Sequence, residues 1–459
     1  MTETDTFPDI STLIKNKDQE ELKIFLRLMQ APDLSHIIQS LDQQEQTEIF
    51  RMLPVPIAAK TFDFLPLHIQ KQLLNDLEED KIAKILDLMS PDDRTALLEY
   101  LPNKVVKELI CLLSDDERKV TLSLLGFPAE SVGRLMTPDY VAVKKEWTVR
   151  EVLDFIREKG HDSETLNVIY VTDDYGVLID DIRIREFLLA PLDKKVSDIM
   201  DNKFTFLSAN MHVDDAIDNF NKLNRVALPV IDEKQLLLGI VTIDDILNVT
   251  QKENTKEIQN LGGSESLDEP YMTTPLFEMV KKRAGWLIIL FLGEMLTATA
   301  MSFFEEEIAK AVVLALFVPL IISSGGNSGS QATSLIIRAM ALKEISLRDW
   351  WRIMKREVLS GLLLGAILGT IGFIRISVWT IFSNIYGPHW LLIALTVGLS
   401  LVLIVMWGSL SGSMLPLILK KLKFDPAKSS APFVATLVDV TGLIIYFMIA
   451  FLFLKGTLL

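Results

Sequence analysis

The chain has 459 residues, enough for about three domains. Residues 281–459 carry 16 Lys/Arg and 9 Asp/Glu, whereas residues 1–280 carry 30 and 52, so a part with net charge −22 precedes a part with net charge +7. The acidic part excludes a nucleic-acid-binding protein, because its carboxylates repel phosphates and attract cations, and the single cysteine, Cys111, excludes an internal disulfide framework.

The chain begins with a polar tail, predicted over residues 1–20. Met1–Ile14 is polar and acidic, without the apolar core of a signal peptide. We therefore expect the acidic part of the chain to stay on the cytoplasmic side of a membrane.

Residues 21–131 have the pattern of an acidic domain of short repeated helices. Breaks recur at spacings near multiples of 12, at Leu53-Pro54, Leu65-Pro66, Met89-Ser90-Pro91 and Leu101-Pro102. Ser90 and Ser114, each with Asp nearby, are predicted N-caps of two of these helices. Each helix would bury one face on its neighbours, either in a helical repeat or in a generic bundle.

Residues 132–251 contain an internal repeat of mixed α/β pattern. Met136 and Met200 each open a unit, which continues with a short strand, a helix and two further strands. The arrangement resembles a tandem pair of CBS domains. In that family a Thr and the Asp three residues later commonly hold a nucleotide ribose, and Thr242 and Asp245 match this pattern. The resemblance therefore implies an adenine nucleotide at the second unit; in the first unit Arg183 stands where Ser or Thr is usual.

Residues 252–285 are predicted to connect this pair to the membrane. Gly262-Gly263 breaks a helix, and Pro275 precedes a short amphipathic stretch that ends at Lys281. The pattern is typical of a helix that lies at the membrane surface.

Residues 286–459 are predicted to form a five-span membrane domain, because each apolar stretch is near or above the ~20 residues that cross a bilayer. The stretches are Trp286–Phe304, Ala311–Ile322 with a broken continuation to Ile337, Val358–Ile381, Leu391–Ile418 and Ala431–Leu454. Loops rich in Lys and Arg alternate with loops that are not, which places the N-terminus inside and the C-terminus outside. We expect a multi-pass protein of the cytoplasmic (inner) membrane, in contact with the lipid bilayer.

Polar residues inside these spans are the informative ones. Asp439 lies in the last span, where a carboxylate is costly unless it faces water or a cation. The Gly/Ser run Ser323–Gln331 predicts irregular backbone, which is tolerated at membrane depth only beside protein or water, or else a tight helix–helix contact. Glu294 and Arg375 are further intramembrane charges, to which the sequence assigns no role.

The order of domains and two membrane motifs together resemble the MgtE family of Mg²⁺ channels and transporters. The motifs are Phe317-Val318-Pro319 followed by Gly325–Gln331, and Ala435–Gly442 around Asp439. The resemblance covers almost the whole chain. It implies a homodimer with one ion path at the subunit interface, which Mg²⁺ bound between the cytosolic domains closes.

The resemblance also implies roles for individual residues. Asp439 would face the ion path, and the remaining path-lining residues would be Gly325, Gly326, Asn327, Gln331, Ala435 and Thr436. The carboxylates that sense Mg²⁺ would be Asp92, Asp232, Asp244, Glu265, Asp268 and Asp425. Ala96, Lys234 and Ala431 depart from the family pattern, so the number of sensor sites is open.

The sequence leaves the mode of transport open. Mg²⁺ gives up its water shell reluctantly, so paired Asp439 side chains could select the hydrated ion in a channel. The alternative is a secondary transporter of Mg²⁺ or another divalent cation, such as Co²⁺ or Mn²⁺, coupled to a second ion. An enzyme is not expected, because the five histidines are scattered and no His-Glu-x-x-His motif occurs. An anion channel would be expected to have more spans and a basic pore.

Overall fold

The protein is described from a computed structural model, which covers residues 22, 26–267, 271–272, 274–383, 385–426 and 431–458. Its contacts divide it into two compact units, Met1–Gln251 and Lys252–Leu459. Each unit is described by itself.

The first unit begins with short helices that follow one another at tight, often proline-containing turns. They are α1 Ala31–Gln39, α2 Gln43–Met52, α3 Val55–Asp63, α4 Leu67–Asp76, α5 Glu79–Leu88, α6 Pro91–Glu99, α7 Asn103–Leu112 and α8 Asp115–Leu125. Pro54, Pro66 and Pro102 each occupy the N-cap position, where a missing N–H costs nothing. Ser90 and Ser114 are at N-cap positions as predicted, but neither side chain makes the capping hydrogen bond.

Two α/β repeats complete this unit, so the predicted tandem CBS fold is confirmed. The first comprises α9 Val132–Leu135, β1 Ala142–Val143, α10 Val149–Lys159, β2 Val168–Thr172, β3 Leu178–Arg183 and α11 Ile184–Leu189; the second comprises β4 Leu207–Ser208, α12 Val213–Leu223, β5 Ala227–Ile231 and β6 Leu237–Thr242. Each forms a three-stranded sheet with one parallel and one antiparallel pair. Buried side chains from both sheets, including Tyr170 and Ile240, form a shared core.

Helix α13, Ile243–Leu261, follows β6 directly and ends just before the predicted Gly262-Gly263 break. Gly263 has φ +73°, and a Cβ there would lie 2.8 Å from the Trp286 ring, so a glycine is required. The next helix, α14, begins at Leu276 after Pro275 and continues to Phe303. The amphipathic stretch is therefore continuous with the helix of the first candidate span and is not a separate helix; its position at the membrane surface stays a prediction.

Five helical segments in the described part of the second unit are long and apolar enough to span a membrane, as the sequence predicts. The helices are α14, α15 Glu305–Lys310, α16 Val312–Ala315, α17 Val318–Ala341, α18 Trp350–Phe382, α19 Trp390–Lys421 and α20 Ala431–Leu454. Close packing joins α18 to α19: a Cβ at Gly365 would lie 2.7 Å from the Val402 Cα atom. Such small-residue contacts hold membrane helices together where no hydrophobic effect drives them.

The prediction of irregular backbone at Ser323–Gln331 is wrong, because α17 is helical throughout this run. A break does precede it, where Pro319 occupies the first turn of α17. The glycines allow close helix contact: a Cβ at Gly408 of α19 would lie 2.3 Å from the Gly325 carbonyl oxygen. Helix–helix contact, the second interpretation of the run, is the one that the structure shows.

Candidate cation sites

One candidate site lies in the membrane unit, around Asp439 on α20. A Cβ built on Gly326 of α17 would lie 3.6 Å from the Asp439 Oδ1 atom and 3.4 Å from the Ala435 Cβ atom. The absence of a side chain at Gly326 therefore leaves the carboxyl open on the side of α17. Among the described residues, no basic side chain acts on the Asp439 carboxyl.

Thr436 and Glu294 lie next to this carboxyl. The Thr436 hydroxyl donates to the Pro432 carbonyl oxygen at 3.1 Å and has the Glu294 Oε1 atom at 3.4 Å. Glu294, on α14, is itself within hydrogen-bonding range of Asp439. A carboxylate at the centre of a membrane helix typically costs about 2.5–3.5 kcal/mol. Two neighbouring carboxyl groups, for which the described residues show no ion pair with a basic side chain, make this a candidate site for a cation.

The other predicted path-lining residues are distributed over different faces of α17. Gly325 is buried against Ile404 and Val438. Asn327 and Gln331 are exposed, one helical turn apart, and the Asn327 amide contacts the Ser323 hydroxyl at 3.5 Å. The structure thus brings Gly326, Ala435 and Thr436 to Asp439, and places Gly325 in the contact with α19.

A second candidate site lies in the first unit, where carboxylate oxygens of Asp92, Asp93 and Asp245 all lie within 4.8 Å of one another. Asp92 and Asp93 are in the first turn of α6, and Asp245 is in the first turn of α13. Within the described chain, the buried Asp92 Oδ1 atom accepts no hydrogen bond. A buried carboxyl oxygen of this kind requires a proton or a cation.

Burial and mutual repulsion raise the pKa of several carboxyl groups in and around this cluster. Burial, and then the charges of Asp245 and Asp93, raise the pKa of Asp92 well above its usual range. Burial raises the pKa of Asp245 to about 7, although the Thr242 hydroxyl, which donates to it at 2.5 Å, opposes the shift. Burial and the charges of Asp93 and Glu164 raise the pKa of Asp63 to about 8.

Two further carboxyl groups extend the cluster into the first α/β repeat. Burial and the charge of Asp244 raise the pKa of Glu164, and burial and the charge of Glu117 raise the pKa of Asp139. The atoms that could bind a metal ion here are all carboxylate oxygens, which suits a hard cation such as Mg²⁺. A cation held here would take the place of the protons that these carboxyl groups otherwise bind.

The cluster contains some of the predicted sensor residues and several carboxyl groups that the sequence analysis did not name. Asp92 is a member, and the exposed Asp244 acts through its charge on Asp245 and Glu164. Asp245, predicted to hold a nucleotide with Thr242, also lies beside Asp92 and Asp93, and its role towards a nucleotide stays a prediction. The sequence analysis also missed Asp93, Asp63, Glu164 and Asp139; adjacency to Asp92 was a signal for Asp93 alone.

The remaining predicted sensor residues are placed separately. The Asp232 carboxylate accepts from the N–H groups of Lys234 and Leu236 and so stabilises the turn between β5 and β6. Glu265 and Asp425 are exposed residues of the second unit. Asp268 lies outside the described residues.

A divalent-cation transporter with an acidic helical domain and a tandem α/β pair is the class of protein that these features indicate. The family described as "Divalent cation transporter" (MgtE) matches residues 318–449, the MgtE intracellular N domain matches residues 29–130, and CBS domains match residues 132–193 and 196–252. Magnesium transporter MgtE of Thermus thermophilus is 38% identical over an alignment that covers 73% of this chain and 72% of the relative. Magnesium transporter MgtE of Enterococcus faecalis is 32% identical over 72% of this chain and 71% of the relative. The chain belongs to the MgtE family of magnesium transporters.

Solved structures agree with this assignment. The cytosolic domain of the Mg²⁺ channel MgtE in complex with ATP is 29% identical, covers 52% of this chain and 98% of its own, and superposes with a TM-score of 0.50. The soluble part of a magnesium transporter is 25% identical, covers 53% and 96%, and gives a TM-score of 0.51. The predicted family and fold are thereby confirmed.

Proposed function

We propose that this protein is a Mg²⁺-selective channel for uptake across the cytoplasmic membrane, with the ion passing the Asp439 carboxylate. The observation that carries the proposal is an intramembrane carboxyl that no basic described residue neutralises, beside a helix face kept open by Gly326. Hydrated Mg²⁺ fits such a site, because carboxylates can hold its water shell without removing it.

We propose further that the protein acts as a homodimer with its N-terminus in the cytoplasm and its C-terminus outside. Large apolar side chains of α14, such as Leu287, Phe291 and Leu296, are more than half exposed in the single chain. They are available to lipid or to a second copy. A twofold arrangement would place two Asp439 carboxylates on one path and double the charge that attracts a divalent ion.

The carboxylates around Asp92 and Asp245 are proposed as a sensor that closes this path when cytosolic Mg²⁺ is high. They come from different domains of the first unit, and a cation between them would remove their repulsion and join the domains. Moving a gate from 1:99 to 99:1 takes about 5.5 kcal/mol of differential binding, which several weak sites together can supply. Asp232, Asp244, Glu265, Asp268 and Asp425 remain proposed contributors to such sites.

An adenine nucleotide is proposed as a second cytosolic ligand, at Thr242 and Asp245 of the second repeat. A solved relative holds ATP in its cytosolic domain. Because Asp245 here also belongs to the carboxylate cluster, nucleotide and cation binding would be coupled through this side chain.

Growth of a Mg²⁺-transport-deficient cell tests the proposed function. The wild-type protein should restore growth at low Mg²⁺, and Asp439→Ala, expressed at the same level in the membrane, should not. Full rescue by Asp439→Ala would rule out a path past this residue. An ion-coupled transporter of Mg²⁺ or another divalent cation is the alternative, and unitary current steps from the purified protein in a lipid bilayer would exclude it.

A further inference from the structure

Glu294 is a second intramembrane carboxyl that the function proposed above does not use. It lies in the apolar part of α14, with its carboxyl within hydrogen-bonding range of Asp439 and 3.4 Å from the Thr436 hydroxyl. The two helices are in close contact here, because a Cβ on the neighbouring Gly293 would lie 2.6 Å from the Thr436 Cγ2 atom. Glu294 is therefore held against α20 by its backbone as well as by its side chain.

The position of Glu294 matters because two carboxyl groups repel each other strongly away from water. Like charges about 4 Å apart repel by roughly 4 kcal/mol at an effective dielectric of about 20. A cation at Asp439 would be attracted by both carboxylates. The interaction energy with the second carboxylate is twice as large for a doubly charged ion as for a singly charged one. Glu294 is exposed in the single chain. An ion or water in the proposed path could therefore reach its carboxyl group.

We propose that Glu294 is a specificity-determining residue of the ion path, acting through Asp439 and Thr436 to favour divalent over monovalent cations. It adds a second negative charge beside Asp439 and fixes the Thr436 side chain next to it. The inference rests on the proposed function, since it assumes that the ion passes Asp439.

The test uses the full-length protein in liposomes, with Mg²⁺ influx measured as a function of Mg²⁺ concentration and with Na⁺ as the competing ion. Glu294→Gln should raise the half-saturating Mg²⁺ concentration roughly tenfold and lower the preference for Mg²⁺ over Na⁺, because one of two nearby charges is lost. The maximal flux should stay within about twofold of wild type, since Asp439 remains. Glu294→Asp should restore most of the affinity.

Glu305→Gln is the matched control: it makes the same chemical change just beyond the end of α14 and should alter none of these values. Thr436→Val, which removes the hydroxyl beside Glu294, should raise the half-saturating concentration about two- to threefold. It serves as the independent variant if Glu294→Gln does not assemble.

The inference would be overturned if Glu294→Gln kept the wild-type half-saturating Mg²⁺ concentration and the wild-type preference for Mg²⁺ over Na⁺. If Glu294→Gln does not assemble, the same result in Thr436→Val would overturn it. If Asp439→Asn abolishes influx in the same experiment, that result removes only the role of Glu294. If Asp439→Asn carries full flux, the proposed function itself fails, whatever Glu294 does.

Discussion

At the scale of single residues, the buried Asp92 carboxyl gives a direct test of the cytosolic cation site. Its Oδ1 atom has no hydrogen-bond donor among the described residues, and two other carboxylates lie within 4.8 Å. Asn has the same shape without the charge. We therefore expect Asp92→Asn to raise the midpoint of thermal unfolding in the absence of Mg²⁺, and to reduce the increase produced by adding Mg²⁺ by half or more.

Asp80→Asn is the matched control for that measurement, because Asp80 makes only an exposed pair with Lys84, one helical turn away. Surface ion pairs of this kind contribute little to the free energy of unfolding. A Mg²⁺-induced increase of the same size in Asp92→Asn and in wild type would contradict a cation site at Asp92.

The cluster also predicts how stability depends on pH. The pKa of Asp245 rises from 3.8 to about 7 in the folded chain, and the pKa of Asp63 to about 8. The folded state thus binds these protons more tightly than the unfolded state, so their stabilising effect is complete below about pH 4 and is lost as the pH rises through about 7 and 8.

Mg²⁺ competes with the same protons, so its stabilising effect should increase from pH 6 to pH 8. Unfolding midpoints with and without Mg²⁺ at these two pH values check the prediction. Asp245→Asn should flatten the dependence; an effect of Mg²⁺ that is equal at both pH values would contradict the assignment of these carboxyls.

At the scale of helices, Gly365 tests the packing of α18 on α19. A Cβ there would lie 2.7 Å from both the Cα atom and the carbonyl oxygen of Val402, which are backbone atoms that cannot rotate away. Overpacking of this kind typically costs about 1–3 kcal/mol. We expect Gly365→Ala to lower the unfolding midpoint of the protein in detergent.

Gly285 of α14 provides the control, because a Cβ there has no atom of the described structure within 4 Å. Gly285→Ala should leave the midpoint unchanged or raise it slightly, as alanine favours a helix. Equal midpoints for Gly365→Ala and wild type would show that α18 and α19 do not pack as described.

These helices also show what the sequence could predict. Apolar length predicted the spans, because the thickness of the bilayer sets how many apolar residues a spanning helix needs. The Gly/Ser run of α17 was misread as irregular backbone, since glycine weakens helices in water. In a membrane every backbone group must be bonded within the segment, so the same residues stay helical and serve as contacts.

The cytosolic cluster was harder to predict for a different reason. Its members lie far apart in the sequence, from Asp63 to Asp245, and only the fold brings them together. Helical periodicity predicts which face a residue occupies, but not which domain packs on that face. Asp245 could be read as a nucleotide ligand because the local Thr-x-x-Asp pattern is the same whichever ligand it holds.

At the scale of the whole molecule, an acidic part precedes a membrane part of opposite net charge. In the basic, many-spanned domain, Asp439 is a carboxyl for which the described chain offers no basic partner. The central claim is that Mg²⁺ crosses the membrane past this side chain.

Mg²⁺ influx into liposomes that contain the purified full-length protein tests this claim most directly. Asp439→Asn should reduce saturable influx to the level of protein-free liposomes. Asp349→Asn, which makes the same change at a carboxylate that accepts from the Ser346 hydroxyl just before α18, should retain wild-type influx. Wild-type influx through Asp439→Asn, with the protein correctly assembled, would contradict the account.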